Sequence, residues 1–141
     1  MLLYADDIAL IGKSPEDLQC MLDTLHLWCK RWRVLINTDK SKCIHFRRTR
    51  SKLTNFKFIV GSNRLKLVDN YKYLGVMFTY TGKFSKNAEN LAKAGGRALG
   101  KIISTIHNTI NAYEKLYYSC VIPVLDYASS VWGYKKIPID R

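Results

Sequence analysis

The first twelve residues place a pair of aspartates between two short apolar runs. Met1–Ala5 and Ile8–Gly12 are the apolar runs, and the stretch Ala5-Asp6-Asp7-Ile8 joins them, which predicts a β-hairpin with a tight turn. Adjacent carboxylates repel each other and are costly to remove from water, so we expect both aspartates at the hairpin tip. The simplest alternative is an exposed Asp-Asp turn with no further function.

The next segment has the start signals and the spacing of a helix. Ser14 suits the N-cap, Pro15 suits the first helical position, and Asp17 completes a capping-box-like spacing. Apolar residues then recur at helical spacing and are expected to face a core: Leu18, Met21, Leu22, Leu25, Cys29 and Trp32. We expect the tryptophans Trp28, Trp32 and Trp132 to be core anchors. The pattern predicts a helix over Pro15–Trp32.

Short apolar segments separated by turn residues follow, and they predict strands. One strand is expected at Lys42–Phe46, and FKFIV and RLKLV should form a hairpin around the three-residue connection Gly61-Ser62-Asn63. YKYLGVMF predicts a further strand, interrupted by Gly75.

From about residue 84 the apolar spacing becomes helical. The stretch SKNAENLAKAGGRALGKIISTIHN predicts a helix weakened at Gly95-Gly96. Another helix is expected over about Ala112–Val121, broken by Pro123, with a short last helix ending near Gly133. The fold class is therefore α+β, with a boundary near residues 80–85 between a mixed part and an all-α part.

Charge is distributed unevenly along the 141 residues, whose formal net charge is +12. Residues 1–29 contain one basic residue and five acidic ones, whereas the rest of the chain contains 22 basic residues and six acidic ones. An acidic head on a basic body indicates a polyanionic partner, with the head in a different role.

Cysteine spacing and the lengths of the apolar runs predict where in the cell the protein is found. The four cysteines form no C-x-x-C pair, and Cys43 and His45 lack a second pair to complete a metal site. We therefore expect reduced thiols and an intracellular protein, in the nucleus or cytoplasm. No apolar run approaches the roughly 18 residues of a membrane span, and the N-terminus lacks the basic region of a signal peptide.

The aspartate pair has the chemistry of a divalent metal site. Hard carboxylate oxygens are what Mg²⁺ prefers, and this ion keeps open positions for phosphate oxygens. Two such ions about 4 Å apart activate an attacking hydroxyl and stabilise a leaving group.

Four blocks in this sequence resemble, in order, those of reverse transcriptases from non-LTR (LINE-type) retrotransposons. YADD, within LLYADDIALIG, resembles the catalytic hairpin, and WCKRWRVLINTDKSKCIHF resembles the downstream segment through Leu35, Asn37, Lys40 and Ser41. YKYLGVMF resembles the primer grip, and YYSCVIPVLDYASSVWGY resembles the region after the polymerase core. YADD alone is a weak signal, whereas the ordered set covers nearly the whole chain.

The resemblance implies a partial polymerase palm over residues 1–82, followed by a helical, thumb-like region over residues 83–141. It also implies an RNA template, a DNA primer or RNA–DNA duplex, deoxynucleoside triphosphates and Mg²⁺. Asp6 would ligate the catalytic metals and Asp7 would assist, while Tyr4 would pack beside the primer terminus. Lys40 would approach the nucleotide phosphates, with Lys42 as a competing candidate.

The resemblance assigns the remaining contacts to nucleic acid. Tyr73, Leu74 and Gly75 would bear on the primer backbone, and four basic residues of the helical region would face duplex phosphates: Lys86, Lys93, Arg97 and Lys101. Plainer readings remain open for each: a solvated lysine at position 40, strand core at Tyr73 and Leu74, and a solvated helix face. The histidines His26, His45 and His107 show no pattern and are given no role.

The parts of the family pattern that are missing affect the expected activity. In the family, a further palm aspartate and the fingers precede YADD, and here only MLL precedes it. We therefore expect a retroelement polymerase fragment that is inactive by itself. The alternatives are a basic protein that binds RNA or DNA without sequence preference and without catalysis, and an inert relic. Nuclease activity through the same carboxylates is remote.

Overall fold

The computed structural model describes residues 1–105 and 110–133, and it divides the chain into the units Met1–Tyr71 and Lys72–Arg141. His107 lies outside the described residues. The strands are β1 Leu2–Tyr4, β2 Asp7–Ala9, β3 Lys42–Cys43, β4 Ile59–Val60, β5 Asn63–Arg64, β6 Lys66–Leu67, β7 Asn70–Tyr73 and β8 Val76–Thr79. The helices are α1 Pro15–Trp32, α2 Ser85–Thr105, α3 Ile110–Leu116, α4 Ile122–Leu125 and α5 Ser129–Trp132, with a π turn at Tyr117–Val121.

The strands pair into small two-stranded sheets. β1 pairs with β2 and β4 with β5, both antiparallel, while β3 and β6 are parallel. β7 and β8 also pair, through the two-residue turn Leu74-Gly75. The described part of the chain is therefore mixed α and β, as predicted. No helix within it is long and apolar enough to cross a membrane.

Helix α1 has the predicted bounds because both of its ends are capped. The Asp17 backbone N–H donates to Ser14 Oγ at 3.1 Å, and the Lys13 N–H donates to the Asp17 carboxylate at 2.9 Å. The helix ends at Arg33, whose φ of 55° is left-handed and whose N–H donates back to the Lys30 carbonyl.

The tryptophan prediction was wrong for two of the three residues. Trp28 is 51% exposed and Trp32 is 62% exposed, although the two rings contact each other with centroids 6.3 Å apart. Trp132 is half-buried. Helical spacing alone does not show which residues of a turn are buried. The last buried residue of α1 is Cys29, so Trp28 beside it and Trp32 after it remain exposed.

The core of the Met1–Tyr71 unit lies between α1 and the short strands. It consists of Leu22, Cys43, Phe58, Val60 and Leu65. The side-chain amide of Gln19 fastens α1 to β4, because its Nε2 donates to the Ile59 carbonyl at 2.8 Å and its Oε1 accepts from the Ile59 N–H at 3.0 Å.

In the Lys72–Arg141 unit, α2 packs against β8 and also against α4 and the π turn. Buried Asn87 joins α2 to β8, since its Oδ1 accepts from the Met77 N–H at 2.9 Å. Gly95 allows α2 to approach α4 closely, because a Cβ at this position would lie 2.6 Å from Leu125 Cδ2. As predicted, the described residues between 85 and 120 are helical.

Pro123 does not break the helical path, contrary to prediction. The chain passes from α3 through the π turn into α4, and Pro123 sits in the first turn of α4. The N–H of Ile122 donates to the Tyr117 carbonyl, five residues back, which changes the local bonding just before the proline.

Several predicted turns and strands differ from the structure by one or a few residues. The strand predicted at Lys42–Phe46 is limited to β3. The β4–β5 turn is the two-residue Gly61-Ser62, with Asn63 in the strand. Gly75 belongs to the turn between two strands rather than interrupting one strand. Patterns of apolar residues predict that a strand exists more reliably than they predict its ends, because turn geometry sets the ends.

Candidate functional site

The turn of the N-terminal hairpin lies one residue earlier than predicted. Its register pairs Leu2 with Ala9 and Tyr4 with Asp7, so the turn is Ala5-Asp6 and Asp7 lies in β2. Residues directly opposite each other in a hairpin project from the same face, which places Tyr4 beside Asp7. Asp6 is at the tip, one residue away.

The backbone of this tip is strained. Ala5 has a φ of 52°, a left-handed conformation that costs an L-residue with a Cβ about 1 kcal/mol or more. Such strain persists only where the surrounding structure or function requires it, and it is common at functional sites.

The hairpin exposes its apolar residues as well as its carboxylates. Leu2, Leu3 and Tyr4 are all more than half exposed, and both aspartates are exposed. Leu10, which follows β2, packs against the buried cluster. The hairpin is thus a two-stranded sheet with an exposed apolar surface.

Asp6 and Asp7 have the right chemistry for a divalent cation but supply only part of a site. Both offer hard carboxylate oxygens. Within residues 1–105 and 110–133, no group of three or more His, Cys, Asp or Glu side chains is placed to hold a metal ion. The described residues therefore match the type of ligand but not the number.

The turn that contains Lys40 is built by Asn37. The Asn37 Oδ1 accepts from the Lys40 N–H at 3.0 Å, and the Asn37 carbonyl accepts from the Ser41 N–H at 3.0 Å and the Ser41 hydroxyl at 2.8 Å. The Tyr71 hydroxyl donates to the Lys40 carbonyl at 3.0 Å. These bonds fix the backbone of Lys40 and leave its side chain exposed.

Lys40 and Lys42 differ in what surrounds them. Lys42 is half-buried in β3, and its ammonium donates to the Asp39 carbonyl. Of the two competing lysines, Lys40 is the one whose side chain is exposed to solvent.

The Leu74-Gly75 turn is held from the C-terminal part of the chain. Leu74 has a φ of 45° and Gly75 a φ of 80°, the two positive values that a type I′ hairpin turn requires. The Tyr127 hydroxyl donates to the Leu74 carbonyl at 3.0 Å. Tyr73 and Leu74 are half-buried, so part of their surface remains accessible.

Four exposed cations line one side of α2, and we call them the cation stripe: Lys86, Lys93, Arg97 and Lys101. At 3.6 residues per turn they fall within an arc of about 80°, and Gly95, on the buried side, lies opposite Lys86. Glu89 borders the stripe next to Lys93, and its carboxylate accepts from Lys93 Nζ at 2.5 Å. This hydrogen bond and the Lys93 charge lower the pKa of Glu89.

Each group of predicted residues has its own contacts within its unit. The hairpin and the Lys40 turn belong to Met1–Tyr71, and the Leu74-Gly75 turn and the cation stripe belong to Lys72–Arg141. Sequence reasoning missed Tyr71 and Tyr127, both of which act through their hydroxyl groups. Tyr71 is the first residue of the block YKYLGVMF and Tyr127 lies in the block YYSCVIPVLDYASSVWGY, but the sequence gives no signal for the hydrogen-bond partner of either hydroxyl.

Comparison with known proteins identifies the family. The profile of the reverse transcriptase (RNA-dependent DNA polymerase) family matches residues 1–78, more than half of the chain. The chain belongs to the reverse transcriptase family. The match contains the YADD hairpin, the Lys40 turn and the Leu74-Gly75 turn, and it ends before the cation stripe.

Relatives from transposable elements extend the similarity over almost the whole chain. A putative transposon-derived protein of Caenorhabditis elegans is 28% identical over 99% of this chain and 51% of its own length. Two Drosophila melanogaster proteins each match 92% of the chain: a probable RNA-directed DNA polymerase from transposon BS (28% identical) and the RNA-directed DNA polymerase from mobile element jockey (25%).

These matches confirm the sequence-based identification as a reverse transcriptase of a LINE-type element. The chain spans about half the length of the worm relative, and 16% and 15% of the two fly relatives. It therefore corresponds to part of a retroelement polymerase. No solved structure matches the chain.

Proposed function

We propose that residues 1–82 form part of the palm, and residues 83–141 part of the thumb, of an RNA-directed DNA polymerase that extends a DNA primer on an RNA template. The observation that carries this proposal is the exposed aspartate pair at a strained hairpin tip within the segment that matches the family. Polymerases of this family use divalent metal ions, and we propose Mg²⁺ because the two available ligands are carboxylates.

Each residue of the hairpin and of the Lys40 turn has a distinct role in this proposal. Asp6 is the direct metal ligand, Asp7 adds charge beside it, and Tyr4 packs beside the primer terminus. Metal ions held there would supply activation of the primer hydroxyl and charge stabilisation of the leaving pyrophosphate. Lys40 approaches the phosphates of the incoming deoxynucleoside triphosphate, and the hydrogen bond from Lys42 to Asp39 favours Lys40 over Lys42.

The remaining residues bind nucleic acid in this proposal. Tyr73, Leu74 and Gly75 contact the primer backbone, and the cation stripe faces the phosphates of the RNA–DNA duplex. The exposure of all four stripe residues, on the side of α2 away from its buried residues, supports this role.

The proposal includes inactivity of residues 1–141 alone, because two carboxylates do not hold two metal ions at fixed spacing. A second candidate function is binding of RNA or DNA without sequence preference and without catalysis. The net charge of +12 and the cation stripe favour it. We further propose an intracellular location, in keeping with four free cysteines.

A chimeric polymerase tests the catalytic proposal. Residues 1–141 would replace the corresponding segment of a related transposon polymerase, and primer extension on an RNA template would be measured with Mg²⁺. We expect extension by the chimera, loss of extension in Asp6→Asn, and little change in Glu16→Gln. Glu16 is a matched control because it is an exposed acid of the same N-terminal segment.

The same assay separates the two candidate functions. Unchanged extension in Asp6→Asn would contradict the role of Asp6. Robust extension by residues 1–141 alone, lost in Asp6→Asn, would show that the two carboxylates suffice. A chimera that binds duplex but never extends the primer would favour the binding-only function.

A further inference from the structure

The Leu74-Gly75 turn has a backbone that its own sequence does not favour. Type I′ turns need positive φ at both central residues, and asparagine followed by glycine is the preferred pair. Here the first position is Leu74, with a φ of 45° and a branched side chain that does not stabilise the left-handed region. An interaction from outside the hairpin is therefore needed to favour this conformation.

Tyr127 supplies two interactions of different kinds to this turn. Its hydroxyl donates to the Leu74 carbonyl at 3.0 Å, across 53 residues of sequence. Its ring lies against Gly75, where an added Cβ would be 2.6 Å from Tyr127 Cε1 and 3.1 Å from Cζ. A polar and a steric contact thus act on the two adjacent residues whose φ values are positive.

Tyr127 is itself held in place by its neighbours. The indole N–H of Trp132 donates to the Tyr127 carbonyl at 2.7 Å, and the next residue, Ala128, has a left-handed φ of 54°. The N–H of Asp126 donates to the Ile122 carbonyl at the end of α4. The ring therefore projects from a fixed backbone rather than from a loose end.

We infer that Tyr127 is a positioning residue, which holds the Leu74-Gly75 turn in the conformation that contacts the primer backbone. The inference rests on the proposed function of that turn, and it adds a residue outside the segment that matches the family. It explains why a tyrosine, rather than another aromatic residue, stands at position 127: the hydroxyl fixes Leu74 while the ring covers Gly75.

Nuclear magnetic resonance of the full 141-residue chain tests the inference. Tyr127→Phe removes only the hydroxyl, Tyr127→Leu removes both contacts, and Tyr118→Phe is the matched control, an exposed tyrosine of the same unit. We expect amide exchange in the turn to rise about fivefold in Tyr127→Phe and further in Tyr127→Leu, since loss of one hydrogen bond has an effect of this size. The Leu74 coupling constant, which reports φ, should shift towards averaged values while α2 stays unchanged.

Titration with an RNA–DNA duplex supplies a readout that a purely structural role would not move. In the wild type we expect the duplex to shift the resonances of Tyr73, Leu74 and Gly75. In Tyr127→Phe we expect these shifts to be smaller, while the shifts of the cation-stripe resonances stay the same as in the wild type. Tyr127→Phe keeps the test valid if Tyr127→Leu does not fold.

The outcomes separate the inference from the proposed function. If the turn resonances of the wild type do not respond to duplex, the proposed contact with the primer is wrong and the inference falls with it. If they respond equally in the wild type and in both variants, only the inference about Tyr127 is overturned.

Discussion

Asn37 shows how one side chain gives a sequence motif its geometry. Its amide oxygen and its carbonyl oxygen together bond the N–H of Lys40 and both donors of Ser41. The spacing Asn-x-x-Lys-Ser therefore predicts a turn in which the first residue, Asn37, accepts hydrogen bonds from the last two, Lys40 and Ser41. In this turn hydrogen bonds hold the backbone of Lys40, and its side chain is exposed to solvent. An alanine at position 37 would remove the bond from its side chain and keep those from its carbonyl.

Cys43 provides a prediction at the same scale. Burial raises the pKa of its thiol from an ordinary value of 9.0 to about 11. The unfolded chain then loses this proton at lower pH than the folded chain does, so stability is complete below about pH 9 and declines as pH rises towards 11. We expect urea unfolding to show this decline, and Cys43→Ala, despite a lower baseline stability, to lack this contribution.

Thiol reactivity supplies an independent check on Cys43. At pH 8 we expect a thiol reagent to label the exposed Cys20 and Cys120 first, and Cys29 and Cys43 only on unfolding. Fast labelling of Cys43 in the folded chain would contradict its burial.

At the scale of elements, local chemistry determined what could be predicted. The start of helix α1 was predicted correctly because its signals are local: Ser14 caps the helix and Pro15 occupies its first position. The hairpin at Ala5-Asp6 was located one residue away from its observed position, because no glycine or asparagine marks a left-handed residue there. The exposure of Trp28 and Trp32 was missed because burial depends on which element packs against the helix.

Adjacent glycines in α2 give a prediction at the scale of elements. A Cβ on Gly96 would meet nothing within 4 Å, whereas one on Gly95 would lie 2.6 Å from Leu125 Cδ2. Gly96→Ala should therefore stabilise the chain by about 0.5–1 kcal/mol through helix propensity. Gly95→Ala should be less favourable than Gly96→Ala by about 1 kcal/mol or more, because Leu125 must move. Urea unfolding measures both.

A second substitution identifies the cause of that difference. In a Leu125→Ala background the obstacle at Gly95 is removed, so the two alanine substitutions should have similar effects. Equal effects of the two substitutions in the wild-type background would mean that α2 and α4 do not pack through Gly95.

The charge of the whole molecule is divided between an acidic head, residues 1–29, and a basic body, the rest of the chain. This division predicts how the chain binds nucleic acid. If the four residues of the cation stripe each neutralise a phosphate, affinity for an RNA–DNA duplex should fall on the order of 100-fold between roughly 50 and 200 mM salt. Lys101→Gln, which removes a stripe lysine other than the ion-paired Lys93, should reduce the slope of log affinity against log salt by about one. Lys13→Gln, an exposed lysine in the acidic head, is the matched control.

Substitution of Glu89 tests the same surface, with an expected increase in affinity for the duplex. Glu89→Gln frees Lys93 from its ion pair and removes a negative charge, so we expect tighter binding and a steeper salt dependence. Fluorescence anisotropy with labelled duplex measures each variant. A salt-independent affinity in the wild type would contradict binding through the cation stripe.

At this scale the sequence predicted the family, the order of the elements and the exposed cations of α2. It could not predict the contact between Tyr127 and the Leu74-Gly75 turn, because the two are 53 residues apart and no periodicity links them. It likewise could not predict the hydrogen bond from Lys42 to the Asp39 carbonyl, on which the proposed preference for Lys40 rests.

The π turn at Tyr117–Val121 makes the length of this segment matter more than its composition. Relative to a regular α-helix it holds one extra residue, since Ile122 bonds back by five positions. Each residue turns an α-helix by about 100°, so deleting one residue here would let the helix run regularly and rotate everything after it by that angle. Tyr127 would then face away from Gly75 although no residue touching the turn had changed. Single substitutions between Tyr117 and Val121 leave this angle intact, and a one-residue deletion does not.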